Sequence, residues 1–119
     1  MRTHQALNGR VDVLAPGDHL LGGPETSELL ATARELAARG RHAVLIDLAN
    51  VPYMNSLALG ALARIVVTYS RAQGTVKVCN LGARVRKLFD IVRFNRLFEY
   101  HESEAAALEA FAKEMASVV

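Results

Sequence analysis

The sequence predicts a single α/β domain, in which a small, mixed or mostly parallel sheet of four or five strands is covered by about four helices. Two observations lead to this prediction. Short apolar runs of strand length alternate with longer segments whose apolar residues recur at helical spacing. The chain has 119 residues, enough for one core, and 51% of its residues are hydrophobic and 22% charged, as in globular proteins. The alternation favours parallel strand pairing under helical cover.

Four strands are predicted from short apolar or β-branched runs. They lie near residues 11–14, 43–48, 75–79 and 97–101. The run 43–48 is apolar almost throughout, which is typical of a strand that is covered on both faces. A further short strand is predicted at 19–21, after the turn signal Pro16-Gly17.

Four helices are predicted from apolar periodicity and capping signals, near residues 25–39, 57–73, 83–93 and 104–116. Pro24 suits the first position of the first helix, and Ser103 is a predicted N-cap of the last one. The helix 83–93 is basic and amphipathic. Its predicted inward residues are Val85, Leu88, Phe89 and Val92, and its predicted outward residues are Arg84, Arg86, Lys87 and Arg93.

Positive charge is concentrated in the second half of the chain. Residues 61–101 carry eight Lys and Arg against two acids, a net charge of +6, although the whole chain has a net charge of only +2. Such a segment could face nucleic acid or an acidic protein surface. The chain has no Trp, which weakens the case for base stacking on single strands, and we predict no direct nucleic-acid binding.

The location is predicted from the lack of membrane and export signals. No apolar run approaches the ~20 residues that cross a bilayer, and the first residues do not resemble a signal peptide. A single cysteine, Cys79, cannot form an intrachain disulfide. We therefore predict a cytoplasmic protein without membrane insertion.

The sequence contains no recognisable catalytic, metal-binding or cofactor-binding constellation, and we predict that the protein is not an enzyme. The four histidines never stand four residues apart or beside Cys79. Cys79 lies in a predicted buried strand, where a thiol is inert. The residues around Ser56 do not form the Gly-x-Ser-x-Gly elbow of a hydrolase, and the glycines lack the partners of a phosphate-binding or dinucleotide-binding loop.

The pair Asn55-Ser56 stands where a loop passes into the predicted helix 57–73. Both residue types are good N-caps, so their role can be purely structural. A helix N-terminus also tolerates an added phosphate, because its free N–H groups and its dipole favour negative charge. An exposed serine at this point could therefore carry a phosphate and change a binding surface. The local residues leave both interpretations open.

The segment 46–62, Ile-Asp-Leu-Ala-Asn-Val-Pro-Tyr-Met-Asn-Ser-Leu-Ala-Leu-Gly-Ala-Leu, resembles the signature of STAS domains, and of the anti-sigma factor antagonists in particular. In that family an acidic strand end leads through a short loop to a Met-Asp-Ser-Ser/Thr-Gly-Leu-Gly segment that opens a helix. The similarity continues through 82–92 and 95–98 and covers about residues 10–112. It implies one STAS-like domain over 1–119.

The resemblance implies roles for individual residues. Ser56 corresponds to the serine that family members present to a GHKL-type protein kinase. Asp47 corresponds to the acid at the end of the central strand, and Gly60 to the small residue in the first turn of the helix. Three positions depart from the family pattern. They are Asn55 for the usual Asp, Leu57 for the usual Ser or Thr, and Ala58 for the usual Gly.

The resemblance also implies a function, partner switching. The unphosphorylated form binds an anti-sigma factor or GHKL-type serine kinase and so frees a sigma factor, and a phosphate on Ser56 ends that binding. We expect Ser56 to be exposed within one residue of the helix start. The expected partner surface comprises Asn55, Ser56, Leu57, Arg84, Arg86 and Lys87. The alternative is a diverged, non-phosphorylated STAS subunit or scaffold of a transporter-associated or stress-signalling complex. Whether the chain forms a homodimer stays undecided.

Overall fold

The computed structural model describes residues 1–117. Within them, five strands form one mixed sheet and four α-helices cover it, which confirms the predicted fold class. The strands are β1 (Arg2–Ala6), β2 (Val11–Ala15), β3 (Ala43–Asp47), β4 (Thr75–Cys79) and β5 (Glu99–His101). The helices are α1 (Pro24–Ala38), α2 (Ser56–Arg71), α3 (Ala83–Ile91) and α4 (Glu104–Ala116). Residues 118 and 119 of the predicted domain lie outside the described part.

The strands are ordered in space as they are in the chain, β1-β2-β3-β4-β5. β1 pairs antiparallel with β2, and β2 to β5 pair parallel with one another. The carboxyl ends of these four parallel strands therefore meet at one edge, the carboxyl edge, and each helix begins there. Because the strand order does not reverse within the described sheet, it lacks the crevice at which many α/β proteins bind small ligands.

The core has two layers because side chains alternate between the two faces of each strand. On β3, Val44 and Ile46 pack in the layer that contains residues of α1, α2 and α3. Ala43 and Leu45 pack in the opposite layer, beneath α4. All four side chains are buried, which confirms the prediction of a strand covered on both faces. Within the described residues, the helices are too short or too polar to cross a membrane.

The sequence prediction missed β1. Its residues, Arg2–Ala6, are exposed at the first four positions and show no apolar alternation, so the strand gives no burial signal. The turn that follows does carry a signal, Asn8-Gly9. Both residues have positive φ, 58° and 79°, and Asn-Gly is the residue pair most typical of a tight hairpin.

The strand predicted at 19–21 is wrong. These residues lie in an irregular loop between β2 and α1, in which Leu20 is fully buried and Leu21 is 45% exposed. The apolar pair indicated a strand, but only one member of it anchors the loop to the core. The loop is closed by a hydrogen bond that Gly22 N donates to Thr26 Oγ1 at 2.9 Å.

The third helix is shorter than predicted, and Val92 does not face inward. α3 ends at Ile91, and Arg93 adopts a left-handed conformation with φ 62°. Val92 is consequently 40% exposed. A 3₁₀ turn, Phe94–Arg96, follows. β5 begins at Glu99, two residues later than the start of the predicted strand 97–101.

Candidate functional site at the carboxyl edge

Ser56 is the first residue of α2, and its side chain is exposed, as predicted. Asn55 precedes it in an extended conformation and is the N-cap of the helix. Its Oδ1 accepts a hydrogen bond from Ala58 N at 3.2 Å. Because Asn55 supplies the cap, α2 does not need the Ser56 hydroxyl in order to begin. Of the two candidate caps, the structure selects Asn55.

The Asn55 side chain also binds a second segment. Its Nδ2 donates a hydrogen bond to Leu21 O at 2.8 Å, which ties the start of α2 to the loop before α1. An aspartate at this position could still accept from Ala58 N, but it could not donate to a carbonyl. The departure of Asn55 from the family pattern thus has a structural consequence in this chain.

Three exposed apolar side chains, which we call the apolar collar, lie around this bonded pair of segments: Leu21, Tyr53 and Leu57. They are 45%, 42% and 65% exposed. Leu57 rests directly on Gly22, since a Cβ added at Gly22 would lie 2.5 Å from Leu57 Cδ1. With its φ of +93°, Gly22 is therefore required both by its conformation and by this close approach. Clustered exposed apolar residues are a feature of interaction surfaces.

Asp47 and Gly60 have distinct structural settings. Asp47 Oδ1 accepts hydrogen bonds from Ala49 N and from Asn80 Nδ2, both at 3.0 Å, so the carboxylate holds the beginning of the loop before α2. Gly60 is exposed, and a Cβ added there would meet nothing within 4 Å. The fold itself does not require a glycine at 60. Gly60 lines a groove of about 270 Å³ between α1 and α2, which Ser56 also lines.

The three basic residues predicted for the partner surface are all exposed on α3, but they differ in their neighbours. The Arg84 guanidinium lies 4.8 Å from the centre of the Tyr53 ring, beside the loop that leads to Ser56. The Arg86 guanidinium lies instead 5.8 Å from the centre of the Tyr100 ring. The structure thus links Arg84 to the Ser56 loop and links Arg86 to β5.

The starts of α2 and α3 contribute partial positive charge to this part of the carboxyl edge. Both helices point their N-termini at the edge, and neither has an acidic residue in its first turn. α1 and α4, by contrast, carry Glu25 and Glu104 there. Since a helix N-terminus carries a partial positive charge, two uncompensated dipoles add to the charge of the Arg84 side chain.

The other reactive groups and the large cleft of the described chain lie outside the site around Ser56. Cys79 is buried, as predicted, and burial is the main cause that raises the pKa of its thiol to about 12. Within residues 1–117, no group of three His, Cys, Asp or Glu residues is arranged to hold a metal ion. A cleft of about 560 Å³ lies at the opposite edge of the sheet, between Arg10, His42 and Phe111, and contains none of the predicted site residues.

Comparison with known proteins agrees with this geometry. The sequence profile of the STAS domain matches residues 24–107, which is more than half of the chain and includes α1, α2, α3 and the Ser56 loop. The chain belongs to the STAS domain family. The resemblance inferred from the residues around Ser56 is thereby confirmed.

Relatives of this STAS domain include anti-sigma factor antagonists. BtrV of Bordetella bronchiseptica is 32% identical over 80 residues, which are 65% of this chain and 69% of BtrV. The anti-sigma-B factor antagonist of Staphylococcus epidermidis is 30% identical over 79 residues, 66% of this chain and 70% of the relative. The anti-sigma factor antagonist SpoIIAA of Bacillus, solved in unphosphorylated and phosphorylated forms, shares the fold with a TM-score of 0.72 at 13% identity. The unphosphorylated form covers 99% of this chain and 98% of its own, and the phosphorylated form 92% and 99%.

Sequence reasoning did not single out Leu21, Tyr53 or Asn80 as residues of this STAS site. Leu21 was assigned to a strand, and its carbonyl bonds to a residue 34 positions away, which no local pattern indicates. Asn80 did carry a weak signal, because it is a polar residue directly after a buried strand, at the edge where α/β proteins place functional groups.

An alanine substitution is expected to lower stability far more at Asn55, the N-cap, than at Ser56. Asn55→Ala removes the acceptor for Ala58 N and the donor to Leu21 O, so it should lower the free energy of unfolding by about 1–2 kcal/mol. Ser56→Ala should change it by less than about 0.5 kcal/mol, as is usual for exposed residues. Urea unfolding followed by circular dichroism measures both. Equal losses in the two variants would show that Ser56 shares the capping role.

Proposed function

We propose that this STAS domain, extending over residues 1–119, is an anti-sigma factor antagonist that acts by partner switching in the cytoplasm. In its unphosphorylated form it binds an anti-sigma factor that is also a GHKL-type serine kinase, and the sigma factor is released. Phosphorylation of Ser56 by that partner ends the binding. The protein then regulates transcription through protein contacts, without catalysis of its own and without contacting nucleic acid or membrane.

The observation that carries this proposal is the exposed Ser56 hydroxyl beside a cap that Asn55 already supplies. A phosphate on Ser56 would not remove the Asn55 cap and would lie at the positive end of the α2 dipole, where negative charge is favourable. The domain should therefore remain folded after modification. A kinase also needs an accessible hydroxyl, and the first position of α2 provides it.

The apolar collar explains how the same phosphate would end binding. A neutral hydroxyl can be covered by a partner together with Leu21, Tyr53 and Leu57 at moderate cost. A phosphate carries a charge of about −1.5 to −2 near neutral pH. Covering it among apolar groups would remove its hydration, which is far more costly than covering a hydroxyl. The modification is thus tolerated by the domain and opposed by the interface.

The size of the site supports a protein partner over a small ligand. The groove next to Ser56, about 270 Å³, is below the range of about 300–1,000 Å³ that is usual for small-molecule pockets. Around it lie exposed leucine, tyrosine and arginine side chains, and aromatic and arginine residues are enriched in protein interfaces.

Incubation with the cognate serine kinase and ATP, followed by intact-protein mass spectrometry, tests the proposal. We expect the wild-type protein to gain one phosphate and Ser56→Ala to gain none. Ser103→Ala is the matched control, because Ser103 is the cap of α4 and lies on another helix; this variant should still be phosphorylated. If the wild-type protein binds the kinase stably and gains no phosphate, the chain is instead a non-phosphorylated STAS subunit or scaffold.

A further inference from the structure

We propose that Asn80 and Tyr53 are positioning residues that join the loop before α2 and the loop before α3 into one recognition surface. This inference rests on the proposed function, because it concerns the surface around Ser56. On this proposal, the partner recognises Ser56 and Arg84 together, as parts of one preformed surface. Without Asn80 and Tyr53, the two loops would move independently and the partner would have to order them on binding.

Asn80 links the carboxyl ends of three neighbouring strands. It follows β4 directly, and its backbone N donates to His101 O, at the end of β5, at 3.2 Å. Its Nδ2 donates to Asp47 Oδ1, at the end of β3, at 3.0 Å. The same Asp47 oxygen accepts from Ala49 N at 3.0 Å, inside the loop that leads to Ser56. Asn80 therefore fixes the loop before α3 against the loop before α2.

The conformation of Asn80 fits this role. Its φ is +59°, in the left-handed region that asparagine tolerates better than most residues. The left-handed turn ends β4 and lets the chain pass through Gly82 into α3. A glycine would adopt the same backbone conformation and would lack the amide, which makes Asn80→Gly a substitution that removes the link and keeps the turn.

Tyr53 forms the second link between the two loops. Its ring lies 4.8 Å from the Arg84 guanidinium, at the start of α3. A cation over the face of an aromatic ring is attracted by the negative charge of that face. The ring therefore holds Arg84 beside the Ser56 loop. Because Arg84 is exposed, its N–H groups can still donate to a partner.

These two links specify the chemistry of the partner surface. Arg84 offers a planar set of donors that matches a carboxylate in a bidentate arrangement. Tyr53 and Leu57 offer exposed apolar surface at the same loop. The complementary surface is accordingly a protein face with an Asp or Glu beside an apolar side chain. The uncompensated N-termini of α2 and α3 favour the same negative charge.

A double-mutant cycle in partner binding tests the link. We expect Arg84→Ala to weaken binding about tenfold in the wild-type background and only about twofold in the Asn80→Gly background, because Arg84 is no longer held in place. Asp47→Asn retains an acceptor oxygen and should preserve most of the tenfold effect, whereas Asp47→Ala should behave like Asn80→Gly. Independent, additive effects of Asn80→Gly and Arg84→Ala would overturn the proposal.

Two substitutions at the far end of the molecule serve as matched controls. Gln73→Gly replaces another residue of positive φ, 59°, which precedes β4 at the opposite edge of the sheet. Arg71→Ala removes an exposed arginine at the last position of α2, about 22 Å along the helix from Ser56. Neither control should change partner binding or the effect of Arg84→Ala. A coupling as large for Gln73→Gly as for Asn80→Gly would show a general backbone effect and contradict the proposal.

A measurement on the isolated protein separates this inference from the proposed function. In the NMR spectrum, the Tyr53 ring should shift the Arg84 side-chain protons upfield, and Tyr53→Leu should abolish the shift. Asn80→Gly should reduce it by about half or more, since the coupling of linked residues is lost. An unchanged shift in Asn80→Gly would refute the positioning role. A different result would refute the proposed function alone: Asn80→Gly loses the shift, but the wild-type protein neither binds the partner nor is phosphorylated by the kinase.

Discussion

Replacing Glu99 and Glu114 together by alanine is expected to lower the free energy of unfolding by about 3 kcal/mol, the low end of the range for an unpaired buried charge. Lys77 is fully buried, and its Nζ lies 2.7 Å from Glu99 and 3.0 Å from Glu114. The Phe111 ring of α4 covers the ammonium group at 5.0 Å. Without both carboxylates the ammonium group loses both of its charged partners. The low end applies because both glutamates are half-exposed and water can replace them.

The matched variants isolate the charge from the loss of side chains. Lys77→Met removes the buried charge at similar volume and should change stability by less than about 1.5 kcal/mol. Glu35→Ala with Glu102→Ala removes two exposed acids and should cost less than about 0.5 kcal/mol for each residue. Urea unfolding at neutral pH gives all four free energies. A loss in the Glu99 and Glu114 variant no greater than in this exposed pair would contradict the account of Lys77.

The same cluster predicts how stability depends on pH. The hydrogen bond from Lys77 is the main cause that lowers the pKa of Glu99 below its ordinary value. A carboxyl group whose pKa is lower in the folded state stabilises the fold above its unfolded pKa, and this contribution is lost as the pH falls through the lowered value. The wild-type protein should therefore lose stability on acidification more steeply than the variant without Glu99 and Glu114.

The sequence predicted the elements that have a strong burial pattern. β3 was found within one residue of its end, because apolar side chains on both faces of a strand leave a continuous apolar run. β4 was found at its exact bounds from its valines, although Thr75 and Lys77 interrupt its apolar pattern. β1 was missed because it is held by backbone pairing with β2 and buries little of its own. The pair Leu20-Leu21 was misassigned because one buried leucine in a loop resembles the start of a strand.

Within the site, the sequence located Ser56 at the helix start but did not determine which residue caps it. Both Asn55 and Ser56 suit the role. The bond from Asn55 Nδ2 to Leu21 O favours Asn55, and it joins residues far apart in the sequence. The basic residues of α3 were all predicted on one surface. Their separation into Arg84 beside Tyr53 and Arg86 beside Tyr100 depends on aromatic side chains of distant segments, which periodicity does not reveal.

Ser56→Asp is expected to weaken binding to the anti-sigma partner about a hundredfold, at the upper part of the range for coupled regulatory sites. The added carboxylate would be covered among Leu21, Tyr53 and Leu57, where its hydration is lost. It also lies at the N-terminus of α2, where a negative charge is favourable, so stability should stay within about 0.5 kcal/mol of wild type. Calorimetric titration measures the affinity, and urea unfolding measures the stability.

Ala105→Asp is the control for a new charge at a helix start. Ala105 is exposed in the first turn of α4, and α4 covers the other face of the sheet. This variant should bind the partner as the wild-type protein does. Ser56→Ala should also retain binding, within about threefold of wild type, because only a small exposed group is removed. A comparable loss of affinity for Ala105→Asp would assign the effect to net charge and not to the Ser56 surface.

The affinity of one partner for the same protein with and without a phosphate on Ser56 tests the central claim most directly. The phosphorylated and unphosphorylated forms can be separated after the kinase reaction. Each is then titrated calorimetrically with the anti-sigma partner in the presence of a non-hydrolysable ATP analogue, which prevents phosphorylation during the titration. We predict that the phosphate weakens binding by about a hundredfold or more, equivalent to about 2.7 kcal/mol, while the circular dichroism spectrum of the domain stays unchanged. Equal affinities of the two forms would contradict the account of Ser56 as the switch.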